Sequence, residues 1–297
     1  MLLPDSETIE KAATTGVTPK GSVIYRGLRR LLGELGLTKI WEQGSSYYLW
    51  HAFPLKDPRL FQVVGVPRSG TTLLCSILAS HSKVICLSEP YHQWKYDGIV
   101  FTEETSHIVG CEVWKKHPSL LFRRVLSKES EKIWIGFKET YFSQSHGHWS
   151  NHFFFKRNHL RGLLTIAIIR DPREVWKSLI LRHPEKKGKI SEKFLESWND
   201  LVQWILENRI FFIRYEDLIA EPEKTIKKIC EYMNIEFEKN MIYAINKRKG
   251  RGDQTALEGK TINKAKVHPE YDKYLSKNEI LFIEDGCASL MKTMNYV

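Results

Sequence analysis

Apolar runs alternate with amphipathic segments along most of this chain. The short apolar runs predict strands over Leu60–Val66, Val84–Leu87, Ile133–Phe137, Leu163–Ile169 and Ile210–Ile213. The segments with helical spacing of apolar residues predict helices over Thr71–His81, Arg173–Arg182, Ser191–Glu207, Glu221–Met233 and Lys277–Met294. Ser191 is expected to cap the helix that it begins. Because the strands are continuously apolar, the pattern predicts an α/β fold with a central parallel sheet flanked by helices on both faces.

The beginning of the chain has a different pattern. A basic amphipathic helix is predicted near Val23–Leu37, and glycine and proline residues interrupt the segment that follows it. The strands and helices begin only after this segment, and a chain of 297 residues suits one large α/β domain. We therefore predict a peripheral extension over residues 1–57 and a single domain over residues 58–297.

Basic residues outnumber acidic ones in the composition. The chain has 45 Lys and Arg against 35 Asp and Glu, a formal net charge of +10. This surplus suits nucleic acid, an anionic membrane surface or a small polyanionic ligand, and composition does not choose among them. Basic residues are denser at residues 186–189 and 247–249, where solvated loops are the simplest interpretation.

The sequence disfavours several classes of protein. No apolar stretch approaches the roughly 18 residues of a transmembrane helix, and the first residues lack the basic and apolar regions of a signal peptide. The five cysteines are odd in number and include no Cys-x-x-Cys pair, which disfavours a zinc site or a disulfide framework. We therefore expect a cytoplasmic protein.

The first strand continues into a small-residue turn, Gly65–Thr72, and then into a helix. Gly65 and Gly70 allow a tight backbone, and the free amides of the helix N-terminus attract an anion. The glycine spacing is that of a phosphate-binding loop, but Thr71 stands where nucleoside triphosphatases have lysine. Arg68 supplies a cation inside the turn instead. The turn predicts a phosphate site, and the missing lysine disfavours transfer of a nucleotide γ-phosphate.

Three segments, Pro67–Leu74, Ile169–Ser178 and Ile213–Leu218, resemble motifs of one enzyme family. The first resembles the 5′-phosphosulfate loop of the sulfotransferases, whose donor is 3′-phosphoadenosine 5′-phosphosulfate (PAPS) and whose product nucleotide is 3′,5′-adenosine bisphosphate (PAP). The second resembles their 3′-phosphate motif, and the third a strand end where a tyrosine approaches the nucleotide. The resemblance implies the sulfotransferase fold, which is similar to that of P-loop nucleotide hydrolases. It assigns donor binding to Pro67, Arg68, Ser69, Gly70, Thr71, Thr72, Leu73, Arg170, Ser178 and Tyr215.

A basic stretch near the C-terminus is a further candidate for binding the 3′-phosphate. Arg248, Lys249 and Gly250 partly match the Arg-Lys-Gly stretch of cytosolic sulfotransferases, although Gln254 stands where that pattern has tryptophan. Tyrosylprotein sulfotransferases use a Ser/Lys segment before the final helices instead, and Lys264–Lys266 is its alternative here. Both alternatives stay open.

Sulfuryl transfer needs a base for the acceptor's proton and cations for the developing charge. Glu89 is the candidate base, since it follows the second strand at the sheet edge of the phosphate loop and resembles the glutamate base of tyrosylprotein sulfotransferases. Capping a helix or loop is its alternative role, and His92 is the weaker candidate base. Lys138 and Arg68 are the candidate catalytic cations, so that no metal is needed. Glu139 is expected either to orient Lys138 or to face water.

The segments between the motifs, residues 91–130, 140–160 and 182–195, are expected to determine the acceptor. One of them contains histidines that suggest either a metal site or, more simply, loop histidines beside an acceptor cleft: His146, His148, His152 and His159. Its aromatic residues are expected to line the acceptor pocket or to belong to the core: Trp149, Phe153, Phe154 and Phe155.

The leading hypothesis is a PAPS-dependent sulfotransferase acting on a hydroxyl or amine of a small molecule or natural product. It involves no metal, and neither nucleic acid nor a membrane is a partner. A small-molecule kinase is the first alternative, and it needs a loop lysine and a carboxylate for Mg²⁺, for which Asp171 is the obvious candidate. A basic nucleic-acid-binding module is the second, and it leaves the paired motifs unexplained.

Overall fold

The computed structural model of the protein describes residues 55, 57–96, 99–100, 113–243 and 270–297. Its strands are β1 (Leu60–Gly65), β2 (Val84–Ser88), β3 (Ile99–Val100), β4 (Val113–Trp114), β5 (Trp134–Thr140), β6 (Leu164–Ile169) and β7 (Phe211–Arg214). Five of them form a parallel sheet in the order β2–β5–β1–β6–β7, and β3 pairs with β4 as a separate antiparallel ribbon.

Helices connect the strands of the parallel sheet, and three more in the described part of the chain follow its last strand. They are α1 (Thr71–Ala79), α2 (Pro90–Tyr96), α3 (Pro118–Lys128), α4 (His152–Leu160), α5 (Pro172–Arg182), α6 (Glu192–Glu207), α7 (Tyr215–Ala220), α8 (Pro222–Met233) and α9 (Lys277–Thr293). Short 3₁₀ turns occupy Gln144–Trp149, Pro184–Lys186, Lys239–Met241 and Tyr271–Lys273.

The central strand β1 has helices on both of its faces. All six of its residues are buried. Phe61 and Val63 face the cluster that includes α1 and α8, whereas Leu60 and Val64 face the larger cluster that includes α3, α4, α5, α6 and α9. Successive side chains of a strand point to opposite faces, so a strand with buried apolar residues on both faces needs two cores. The prediction of an α/β fold with a central parallel sheet is confirmed.

The predicted elements of the described part are present, with ends shifted by a few residues. The largest shift is in β5, which extends to Thr140, so that Lys138 and Glu139 lie inside the strand rather than after it. The expected cap of α6 is wrong in its detail. Ser191 precedes the helix, but its side chain forms no capping hydrogen bond; instead its carbonyl accepts the Phe194 N–H over 3.0 Å. The helix predicted near Val23–Leu37 lies outside the described residues.

Four helices were not predicted: α2, α3, α4 and α7. A signal for α3 was present, because Pro118 stands in its first turn and Leu121, Phe122 and Val125 form one buried face. The segment of α4 is aromatic without helical spacing, so its pattern did not distinguish a helix from a loop. Helix α7 begins at Tyr215, directly where the end of a strand was expected.

Candidate active site

The turn between β1 and α1 has the backbone of a phosphate loop. Ser69 contributes to its shape, because both its N–H and its hydroxyl donate to the carbonyl of Val66, over 3.2 and 2.6 Å. Gly70 has φ of 95°, in the left-handed region, and a Cβ there would come within 2.4 Å of the Tyr215 ring. Glycine is therefore needed at this position both for its backbone and for the close contact.

The N-terminus of α1 presents free amides at the end of this turn. The Leu74 N–H donates to the Gly70 carbonyl over 3.0 Å, which makes it the first amide bonded within the helix. The amides of Thr71, Thr72 and Leu73 come before it, and Gly70 has no side chain to cap them. Thr71 and Leu73 are themselves buried, so they act here through the backbone. Such an end suits an anionic group.

Arg68 lies at a strained point of the turn and contacts the helix that follows β6. Its φ is 71°, a conformation that residues with a side chain rarely adopt. Its Nε donates to Ser178 Oγ over 3.1 Å. The structure thus brings together two residues from separate sequence motifs, and strain of this kind is common at functional sites.

Arg170, which follows the last residue of β6, connects the turn to α5 and α7. Its Nη1 donates to the carbonyl of Arg68 over 3.2 Å, and its Nη2 donates to Glu174 Oε2 over 3.0 Å. Its guanidinium carbon lies 4.3 Å from the centre of the Tyr215 ring. Burial raises the pKa of Tyr215, against the opposing effect of Arg170. The Nε of Arg170 is buried and has no hydrogen-bond partner among the described residues, so it is a donor suited to a ligand.

Glu174 was not assigned a role from the sequence, although it lies one helical turn after Arg170. It is buried and accepts hydrogen bonds from Arg170, from Lys177 Nζ and from the backbone N–H of Glu270, the last over 2.8 Å. The Glu174 carboxylate therefore joins Arg170, Lys177 and the backbone of Glu270, where the C-terminal described segment begins.

Glu89 and Lys138 meet at the end of neighbouring strands. Ser88 of β2 pairs with Lys138 of β5, and the Glu89 N–H donates to the Lys138 carbonyl over 2.7 Å. Lys138 is only 2% exposed. Its Nζ donates a hydrogen bond to Glu89 Oε1 over 2.6 Å. Glu89 has φ of 51°, so it is strained as Arg68 is. Since β5 lies between β2 and β1, this ion pair and the phosphate loop share the carboxyl edge of the sheet.

Glu139 neither orients Lys138 nor faces water, so both expectations for it are wrong. Neighbouring side chains of a strand point to opposite faces. Glu139 is fully buried, accepts the Tyr91 N–H over 2.7 Å and pairs with His92 Nδ1. Burial raises the pKa of Glu139, and the nearby His92 opposes that effect. Glu139 thus fixes the His92 ring through its Nδ1.

A cavity of about 250 Å³ lies beside the phosphate loop. Its wall comes from the loop, α5, α6 and the segments before them: Val66, Pro67, Phe142, His146, Val175, Trp176, Leu179, Lys186, Lys189, Ser191, Phe194 and Ser197. Of these, only Pro67 and His146 were named from the sequence as candidates for the site, whereas Lys186 and Lys189 were noted only as part of a basic run and Ser191 only as a helix cap. The lining residues come together through tertiary packing. Burial and the nearby Lys193 lower the pKa of His146.

The aromatic residues expected to line an acceptor pocket or to belong to the core have different places. Phe154 and Phe155 belong to the core, and Phe153 is 64% exposed on the outer side of α4. The side chain of Trp149 is not among those that the structure describes. The histidines are likewise dispersed, since His152 contacts Ser150 and His159 contacts Thr165. Within the described part of the chain, no group of three His, Cys, Asp or Glu side chains is arranged to hold a metal ion.

The remaining residues that the sequence suggested either have a structural role or lie outside the described residues. Asp171, the carboxylate that a kinase would need, caps α5 and pairs with Arg173, whose Nη2 donates to its Oδ2 over 2.8 Å. Arg248, Lys249, Gly250 and Lys264–Lys266 lie outside the described residues. None of the described helices is both long and apolar enough to cross a membrane.

Comparisons with known proteins agree with this geometry. The family model of the sulfotransferase domain matches residues 58–280. A Caenorhabditis briggsae protein, provisionally named a protein-tyrosine sulfotransferase, is 24% identical over 211 residues, which are 62% of this chain and 69% of that protein. The crystal structure of the mouse sulfotransferase SULT7A1 complexed with PAP covers 86% of this chain and 91% of its own, with 14% identity and a TM-score of 0.51.

A second solved structure, the sulfotransferase domain of the Synechococcus PCC 7002 olefin synthase, covers 82% of this chain and 97% of its own. Its identity is 15% and its TM-score is 0.50. At such identities the two structures show a shared fold. The family match, which spans more than half of the chain, shows more: this chain belongs to the sulfotransferase domain family.

Proposed function

We propose that this protein transfers a sulfuryl group from PAPS to a hydroxyl or amine of a small molecule. The observation that carries this proposal is the ion pair of the buried Lys138 with the partly exposed Glu89, at the same sheet edge as the Arg68–Ser178 contact. Family membership supports the transferase activity. A mouse protein of the same fold is complexed with PAP in its crystal structure, which supports a nucleotide donor of that kind.

The residues around the phosphate loop suit such a donor. The free amides of residues 71–73 and the Arg68 guanidinium suit the 5′-phosphosulfate. Arg170, with its unpartnered buried Nε, and the Ser178 hydroxyl suit the 3′-phosphate, since a guanidinium beside a hydroxyl is a good receptor for a phosphomonoester. Tyr215 offers a ring beside Arg170. Arg248, Lys249 and Gly250 stay predicted as further ligands of the 3′-phosphate.

Glu89 and Lys138 supply the base and the cation of the proposed reaction. The acceptor oxygen or nitrogen forms a bond to sulfur while the bond from sulfur to the 5′-phosphate oxygen breaks, and Glu89 takes the acceptor's proton. Lys138 and Arg68 stabilise the charge that develops on the leaving oxygen. We favour Glu89 over His92 as the base because Glu89 contacts Lys138 directly, whereas His92 is engaged by Glu139.

Two further parts of the proposal concern the size of the acceptor and the location of the protein. A small acceptor is supported by the size of the cavity beside the loop. A cytoplasmic location is supported by Cys75, Cys86, Cys230 and Cys287, which are buried and form no disulfide with one another. The division of the chain after residue 57 stays a prediction.

Ligand-induced thermal stabilisation tests the donor class. PAP should raise the melting temperature of the full chain, while ATP–Mg and duplex DNA should raise it much less, because a ligand stabilises the state that binds it. Equal or greater stabilisation by ATP–Mg would contradict a PAPS-type donor and favour the kinase alternative. Stabilisation by duplex DNA alone would favour the nucleic-acid-binding alternative.

Glu89→Gln tests the base. We expect kcat to fall by at least about a hundredfold, the usual contribution of a general base, while the PAP-induced stabilisation is retained. Glu131→Gln is the matched control, since Glu131 is exposed and the change in charge is the same. If Glu89→Gln keeps a near-native kcat, the base is elsewhere, and His92→Gln is the next variant to measure.

A further inference from the structure

The cavity beside the phosphate loop is next to the proposed reaction site. Val66 and Pro67 form part of its wall, and Arg68 follows them directly. Phe142 forms another part, and its ring centre lies 6.0 Å from that of His92, three residues after Glu89. A molecule that fills this cavity therefore lies against the phosphate loop, next to the residue that precedes Arg68.

The wall of the cavity is apolar, but its charged groups are of one sign. Val66, Phe142, Val175, Trp176, Leu179 and Phe194 supply the apolar surface. Lys186 and Lys189 line the same cavity and are exposed at its side, and none of the described lining residues is acidic. Neither ammonium group forms an ion pair with a described residue. Two cations that have no ion-pair partner among the described residues, placed at an apolar cavity, suit a ligand that has an apolar body and an anionic group.

The turn that bears these lysines is fixed to the rest of the fold. The Lys189 N–H donates to the Lys186 carbonyl over 2.9 Å, which closes the turn. The Gly188 N–H donates to Glu279 Oε1 over 3.1 Å, and the Trp176 indole donates to the same oxygen over 3.0 Å. Glu279 is buried in the first turn of α9. The basic run that the sequence placed in a solvated loop is therefore held at the cavity.

We propose that the acceptor is an anion: a small molecule with a ring-sized apolar body that carries both the hydroxyl to be sulfated and a carboxylate or similar group bound by Lys186 and Lys189. This rests on the proposed function and specifies its acceptor. A cavity of about 250 Å³ has room for one aromatic ring with a short chain, and is at the small end of ligand pockets. The two ammonium groups then select acceptors by charge, while the apolar wall holds the ring.

Calorimetric titration with three phenols of similar size tests this, on the full chain saturated with PAP. The phenols are 3-(4-hydroxyphenyl)propionate, which is anionic, its neutral propionamide and the cation tyramine. We expect the anion to bind about tenfold more tightly than the amide, the size of one charge-assisted hydrogen bond, and tyramine to bind most weakly. The preference should shrink as the salt concentration rises.

Variants of the basic run separate these lysines from general charge. The double variant Lys186→Ala/Lys189→Ala should lose the preference for the anion, while its stabilisation by PAP stays unchanged. Lys187→Ala removes one charge from the same turn at an exposed residue that does not line the cavity, so it should keep the preference.

Three outcomes overturn the inference: equal or tighter binding of the amide or tyramine, a Lys187→Ala effect as large as that of the double variant, or no binding of any phenol. A tyrosine peptide with acidic flanks that binds more tightly than all three would also overturn the small-molecule acceptor. Failure of the proposed function has a different signature, since PAP itself would then not stabilise the protein. In that case the same phenols are titrated into the free protein, and the preference for the anion is judged there.

Discussion

The proposed donor side and the proposed acceptor side of this protein are built in different ways. The proposed donor side consists of the phosphate loop with Arg170, Ser178 and Tyr215, and each of its parts lies in a short, continuous sequence motif. The proposed acceptor side is the cavity beside the loop, whose wall comes from the loop, α5, α6 and residues 142–146. Local backbone geometry therefore builds most of the donor side, while the acceptor side exists only after the helices have packed. Experiments that affect one side alone test this separation.

The largest effect that we expect is on donor binding, from Arg170→Ala. The variant loses charge-assisted contacts to the proposed 3′-phosphate and the support of the Arg68 carbonyl, so the dissociation constant for PAP should rise about a hundredfold. Phenol binding in the cavity should stay the same. Isothermal titration measures both.

Lys292→Ala is the control for Arg170→Ala, because it removes one positive charge from an exposed residue of α9. The separation of the two sides fails if phenol affinity falls in parallel with PAP affinity. The assignment of Arg170 fails if the dissociation constant for PAP stays within about twofold, which is a small free-energy change.

The next effect concerns the rigidity of the donor side. Gly70 and Gly162 both have positive φ, of 95° and 88°. A Cβ added to Gly70 would collide with the Tyr215 ring, whereas a Cβ added to Gly162 would have no described atom within 4 Å. Alanine at either position costs about 1 kcal/mol in backbone strain. At Gly70 the forced contact adds about 2 kcal/mol.

Urea denaturation measures the free energy of unfolding of both variants. Gly162→Ala is the matched control, since it has the same strain without the contact. Equal losses in the two variants would show that the Tyr215 ring moves freely, and that the donor side is less rigid than its close packing indicates.

The smallest effect concerns pH and the acceptor side. Burial lowers the pKa of His146 below its ordinary value of 6.5, with Lys193 and Lys186 acting in the same direction and Glu196 against them. The unfolded chain then binds the proton more readily, so this contribution to stability is present above about pH 6.5 and is lost as the pH falls below it. The melting temperature of the protein should therefore fall more between neutral and mildly acidic pH than that of His146→Gln.

Glutamine keeps a hydrogen-bonding group beside Ser143 and Ser197, so the comparison isolates the titration of His146. Thermal unfolding of both proteins at several pH values provides the measurement. If the two melting curves shift equally with pH, His146 does not titrate in this range, and the acceptor side has no pH dependence of its own.

Much of the fold could be predicted because its signals are local. The apolar runs of β1 and β6 require two cores, and this requirement alone indicates a parallel sheet with helices on both sides. The helix α4 could not be predicted in the same way, since its aromatic residues have no helical spacing and its burial depends on the rest of the core. The length of β5 was also missed, because polar residues at its end are covered only in the folded protein.

The parts of the candidate site that lie in local motifs could also be predicted, whereas the contacts between them could not. The loop, Arg170 and Ser178 were identified from motifs, and the structure places Arg68 in contact with Ser178. The pairing of Glu139 with His92 was not predictable, since it depends on which face of β5 each side chain takes. Glu174 was likewise missed, although it holds Arg170 in place.

The sequence by itself determined the sulfotransferase fold class and the phosphate loop, because a tight turn before a helix is a property of a few consecutive residues. Only the tertiary structure decided that Glu89 pairs with the buried Lys138, since β2 and β5 become neighbours through the order of the sheet rather than the order of the chain. It also decided that Lys186 and Lys189 stand at an apolar cavity. The physical reason is the same in both cases: burial and ion pairing depend on residues that are distant along the chain and meet only when the helices pack on the sheet.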